Sequence, residues 1–258
     1  MQSQPVRSAP PSADQLASLR KALAAEHSPR GPALAFGVAE LDGRLVDRGL
    51  DRHGLHEIAA ASAALGDDAA ATLFAAGIAA RLAALGEAQV LWALTRFDLY
   101  APGLEQAGLA PDRMVYAQGG KDIDVLAMAE DGLRDGSLAC VIAEVRSADR
   151  TATRRLQLAA SDGRTPMLLY RRHRSKGSCP LSIPSSAMTR WRIGCRPSER
   201  LEMPGVGRGR WLVELARQRG GNPFSLELEA CDETGSLALP ASIADRAIAA
   251  GRAASHAA

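Results

Sequence analysis

Short apolar runs alternate along this chain with stretches of helical periodicity, and that alternation restricts it to one broad architecture. Residues 89–94, 113–117, 138–143 and 166–170 read as strands, with 138–143 apolar throughout (Leu-Ala-Cys-Val-Ile-Ala). The stretches 102–107, 123–133 and 149–161 between and after them read as helices. A strand covered on both faces has no polar side to display, so such runs point to a mainly parallel sheet with helices on both faces. The expected class is therefore α/β. With 258 residues and 47% hydrophobic composition, the chain can bury a substantial core.

Upstream of these runs, Gly54-Leu55-His56-Glu57-Ile58 reads as a strand, followed by a small-residue loop and an Ala-rich helix reaching about residue 85. A nucleotide-binding α/β domain puts its phosphate loop there. Such a loop, G-x-x-x-x-G-K-[ST], cradles phosphate with backbone N–H groups, a Lys and a Mg²⁺-binding hydroxyl. On residues 61–68 that spacing retains only Gly66. Ala61 replaces the first Gly, Asp67 the Lys and Asp68 the Ser or Thr. Two carboxylates stand where phosphate requires cations and donors, and at a helix N-terminus they complement the helix dipole. The loop is expected to serve packing, holding its strand against the helix.

Beyond Tyr170 lies a basic stretch, Arg171, Arg172, His173, Arg174 and Lys176, with no acid until Glu199. Residues 188–193, 209–216 and 224–229 follow with partial alternation and turn material between them, and are expected to extend the sheet as antiparallel strands. Earlier in the chain, Val38, Leu41 and Leu45 mark a small helix with those side chains inward. The expected division is a disordered N-terminus, short helix and linker over 1–30, a core domain over 31–230, and a helical tail over 231–258. Leu16, Leu19 and Leu23 line one face of the first helix, and the last helix covers about 241–250.

The charge balance is small, net +2, but only Lys21, Lys121 and Lys176 are lysines, and Arg is the better bidentate phosphate reader. Cys140, Cys179, Cys195 and Cys231 show no C-x-x-C spacing, so neither a zinc site nor a disulfide framework is expected. His53 and His56 flank the opening strand without ligands at metal spacing and read as structural. Residues 1–12 lack the apolar run of a signal peptide, and no stretch approaches the roughly 18–20 apolar residues of a membrane span. A cytoplasmic protein is expected.

The order of these segments resembles the RecA-type recombinase core over about residues 36–228. More narrowly, Leu91-Trp92-Ala93-Leu94 with Asp98-Leu99-Tyr100-Ala101-Pro102-Gly103-Leu104 is similar to the ImuA family, as is the stretch from Pro184-Ser185-Ser186-Ala187 to Trp191-Arg192-Ile193. The resemblance implies a RecA-like, non-catalytic accessory protein of the damage-induced (SOS) mutagenic translesion synthesis complex. It implies as partners a catalytically inactive Y-family polymerase-like subunit of the ImuB type and an error-prone C-family polymerase. RecA recombinase, single-stranded DNA and a second copy of the chain are further candidates. Where the recombinases place a water-activating Glu, this chain carries Arg96, and where they place an Asp near Mg²⁺ it carries Glu144. With the loop altered as well, no cofactor, metal or ATPase activity is expected, because phosphoryl transfer rests on positioning and charge stabilisation. The basic stretch occupies the recombinases' DNA loop, making Arg171, Arg172, His173, Arg174 and Lys176 the candidate phosphate contacts. An ATP-binding switch with an atypical loop and a cell-division inhibitor of the related degenerate RecA-like group remain as alternatives.

Overall fold

The computed structural model describes residues 32–173, 178–198, 205 and 207–240. A small ribbon, β1 (Ala33–Leu34) and β2 (Leu50–Asp51), precedes the main sheet. That sheet contains β3 (Leu55–Ala60), β4 (Val90–Leu94), β5 (Met114–Gln118), β6 (Cys140–Val145), β7 (Met167–Arg171), β8 (Thr189–Arg196), β9 (Arg210–Gln218) and β10 (Phe224–Glu229). Its strand order is β10-β9-β8-β3-β7-β6-β4-β5. All neighbours from β8 to β5 pair in parallel, whereas β9 and β10 are antiparallel. The mainly parallel α/β class expected from the sequence is the class observed.

Parallel neighbours need crossovers, and four helices supply most of them: α2 (Leu65–Ala83), α3 (Ala101–Gln106), α4 (Asp122–Asp135) and α5 (Arg150–Asp162), after the short α1 (Ala39–Asp42). Side chains alternate across a strand, and this sorts the core into two layers. Trp92, Ile142, Leu168 and Tyr170 pack with Phe74 of α2 and Leu104 of α3. Ala93, Val141 and Leu169 pack with Val125 and Leu133 of α4 and Leu156 of α5. Helices therefore cover both faces of the central strands.

β8 departs from expectation. It runs parallel to β3, with His56 opposite Thr189, and the antiparallel pairing begins only at β9. Residues 178–187 carry the chain back along the sheet, so β8 starts from the same end as β3. A charged clamp sets this register. Glu57 of β3 holds Arg171 of β7 (Oε1 to Nη1, 2.9 Å) and Arg190 of β8 (Oε2 to Nε, 2.6 Å). Arg190 Nη2 also donates to the Ile183 carbonyl at 2.8 Å, securing the returning segment.

Residues 231–240, read from the sequence as part of a tail, bury Gly235 and Leu237 while Glu233, Thr234 and Leu239 stay exposed. They close over α2, where a Cβ on Gly77 would stand 2.3 Å from Cys231 Sγ, so only glycine admits this approach. Leu237 joins the core at the same place. This cover explains how an Ala-rich helix can be apolar nearly all round. The helices read around 12–26 and 241–250 lie outside the described residues.

Candidate functional site

Connections leaving β3 and β4 pass over one face of the sheet, and those leaving β5 and β6 over the other. The carboxyl ends of β3, β7, β6 and β4 therefore meet at a crevice, where open α/β sheets hold their ligands. Here a side chain of the protein fills it. Arg172, one residue beyond β7, places Nε and Nη2 each 2.6 Å from Glu144 Oε2. Its Nη1 lies 2.9 Å from Asp68 Oδ2 and its Nη2 3.2 Å from Asp98 Oδ1.

Each carboxylate arrives from a different part of the chain. Asp68 sits in the first turn of α2, Asp98 just after β4, and Glu144 near the end of β6. Two aromatic residues brace the cluster. Tyr170 lies under the guanidinium at 5.3 Å and donates its hydroxyl to the Asp68 carboxylate, while Trp92 Nε1 donates to Glu144 Oε1 at 2.7 Å. Burial raises the Glu144 carboxyl above the usual range, opposed by Arg172 and Trp92. Burial works against the Arg172 charge, but Glu144 and Asp68 outweigh it and raise that pKa. Asp68, expected from the sequence at the hydroxyl position of a phosphate loop, instead pairs with Arg172. The space left beside it, lined by Thr95, Arg96, Asp98, Glu144, Val145, Arg146 and Arg172, is about 100 Å³. Small-molecule sites typically have roughly 300–1,000 Å³.

The loop over residues 61–66 is exposed and does not pack β3 against α2 as expected. It is tied sideways to β8 instead. Ala61 N donates to the Ile193 carbonyl at 2.7 Å, and Asp67 accepts from Cys195 N at 2.7 Å and from Ser62 Oγ at 2.5 Å. Of the altered positions, Asp68 and Glu144 join the Arg172 cluster. Arg96 does not, reaching only to 3.8 Å from Asp98 with its side chain 79% exposed.

The basic stretch divides. Arg171 is not on a loop: it ends β7 with a side chain 0% exposed, paired to Glu57, so the expectation that it contacts phosphate is corrected by its burial. Among the described residues its Nε and Nη2 have no hydrogen-bond partner. Arg172 is committed to the crevice. His173 turns back, with Nε2 2.9 Å from the Ala60 carbonyl. Arg174 and Lys176 lie outside the described residues. Asp98, Tyr170 and Trp92 escaped sequence reasoning, although Asp98 follows its apolar run closely, as Glu144 and Arg172 do theirs.

Among the described residues, no group of three or more His, Cys, Asp or Glu is placed to hold a metal ion. His56 is buried, with Nε2 2.8 Å from the Asp51 carbonyl and Nδ1 2.7 Å from Thr189 Oγ1, a structural arrangement. No helix of the described residues is long and apolar enough to cross a membrane.

The fold and crevice together define an α/β domain whose own arginine occupies the crevice at the carboxyl ends of its central strands. No family model matches the chain. It is 35% identical over 204 residues to Protein ImuA from Caulobacter vibrioides, in strain NA1000 / CB15N and equally in strain ATCC 19089 / CIP 103742 / CB 15. That match covers 77% of this chain and 84% of each relative. The chain belongs to the ImuA family. Among solved structures, SulA from Pseudomonas aeruginosa aligns over 46% of this chain and 97% of its own, at 24% identity and a TM-score of 0.39.

Proposed function

We propose that the protein is a non-catalytic, RecA-like accessory scaffold of damage-induced translesion DNA synthesis, working through polymerase-type partners. The observation that carries the non-catalytic part is the placement of Arg172 among Asp68, Asp98 and Glu144. A triphosphate arriving there would meet three carboxylates and would have to displace an arginine held by all of them. The loop retains neither the Lys nor the Ser/Thr that would compensate. Membership of the ImuA family supports the translesion setting.

Titration calorimetry with ATP and Mg²⁺ tests the first part. No binding heat is expected, and micromolar affinity would overturn the reading in favour of a nucleotide switch. Co-purification tests the second, with an inactive Y-family polymerase-like subunit and a tubulin-like division protein as alternative baits. Capture by the division protein alone would replace the scaffold reading with division inhibition. Contact with single-stranded DNA is the finer part of the proposal. With Arg171 buried and Arg172 committed, it rests on His173, Arg174 and Lys176. Reversing charge at Arg174 and Lys176 is expected to weaken binding of a labelled oligonucleotide at low salt, and unchanged binding would retire it.

A further inference from the structure

We infer that the protein binds a chloride-sized monovalent anion inside its core, on the edge of Arg171 formed by Nε and Nη2. This goes beyond the scaffold reading, because it concerns the interior of the sheet and holds or fails whatever the domain docks against.

Glu57, Arg171 and Arg190 come from three adjacent strands, with Glu57 and Arg190 opposite each other in register. Glu57 and Arg171 lie two residues beyond Leu55 and Leu169, so they face the same apolar layer beneath α4 and α5. The clamp answers Arg171 at one nitrogen. Nη1 stands 2.9 Å from Glu57 Oε1, whereas Nε and Nη2 are buried and have no hydrogen-bond partner among the described residues. Those two nitrogens border a single edge of the guanidinium, the edge that grips an anion through parallel hydrogen bonds. The side chain is 0% exposed, so bulk water does not reach them. Buried donors left over in a native fold mark an ordered water or an ion.

Charge decides between the two. Arginine stays protonated in proteins, so Arg171 and Arg190 bring two positive charges to the one negative charge of Glu57. Arg190 Nε takes Glu57 Oε2 at 2.6 Å, which engages the second oxygen of that carboxylate as well. Other acids of α4, α5 and the turn before α5 are committed elsewhere. Asp122 accepts from the N–H groups of Arg146 and Ser147, Asp149 from that of Ala152, and Glu130 pairs with Arg134 and Arg155. A surplus charge in the core is costly to bury. Water would satisfy the two donors and leave the charge; a monovalent anion answers both. Val145, opposite Arg171 in register, and Leu169 are apolar and buried, so the anion has to be small and carry no further polar groups. A halide meets those terms.

The test uses the full chain in sodium chloride, with sodium gluconate at equal ionic strength as the oversized counterpart. The unfolding midpoint is expected to rise by ~3 °C per tenfold increase in chloride relative to gluconate. Crystals soaked in sodium bromide should show an anomalous peak in contact with Nε and Nη2 of Arg171, a measurement that needs no variant. Arg171→Met should abolish the chloride dependence, and Arg171→Lys, which keeps the charge but loses the two-pronged edge, should move it to ~10-fold higher chloride or beyond. Circular dichroism confirms that each variant is folded. Glu57→Gln removes the competing carboxylate and should bring the dependence in at lower chloride. Equal midpoints in the two salts, a chloride dependence that survives in Arg171→Met, or ordered water without anomalous signal at Arg171 overturns the inference.

Discussion

Arg172 shares one guanidinium among three carboxylates, and removing it leaves Glu144 buried without its cation. Because Arg172 and Asp68 are each partly exposed, Arg172→Met should cost about 2–4 kcal/mol, short of the upper end for a fully buried pair. Urea denaturation at pH 7.5 measures this. The loss should shrink as pH falls toward 5. Without Arg172, Glu144 keeps a folded pKa above its unfolded value, so its protonated form supports the fold at low pH and that support is lost as pH rises. His56 acts in the opposite sense. Burial lowers its pKa, so the unfolded chain takes up a proton first as pH drops below about 6.5. Stability should then fall by up to ~1.4 kcal/mol per pH unit, and His56→Gln should flatten that slope.

At the scale of elements, the clamp across β3, β7 and β8 fixes the one strand whose direction sequence reasoning missed. Alternation shows that 188–193 is a strand but not which way it runs, because direction depends on the path of the returning segment. Glu57→Gln would leave Arg171 and Arg190 without their anion in the core and should cost about 3–5 kcal/mol in urea denaturation. Replacing Glu57, Arg171 and Arg190 together by Leu, Leu and Met should recover much of that loss, because matched apolar side chains remove the buried charge altogether. A triple variant no more stable than Glu57→Gln would show that the clamp does more than neutralise charge.

At the scale of the whole molecule, residues 231–240 close the layer that β8, β9 and α2 begin. Leu237→Ala should cost about 2–4 kcal/mol in thermal or urea unfolding, as for a large core side chain cut back to Ala. An effect near zero would return the segment to the status of a tail.

Periodicity and burial pattern are local properties, and by themselves they determined the α/β class, nearly every strand and helix, and the altered loop at Asp67 and Asp68. Those residues could be judged one at a time, because the chemistry missing from a phosphate loop is visible in the residue types alone. Partnership of charges is not local. Arg172 lies 104 residues from Asp68 and 28 from Glu144, and Arg171 lies 114 from Glu57. Only the strand order β8-β3-β7-β6-β4 brings them together, and it turned neighbouring arginines of one basic run into a core clamp and a crevice plug. Strand alternation sends consecutive side chains to opposite faces, so two adjacent cations with the same local signature met different partners.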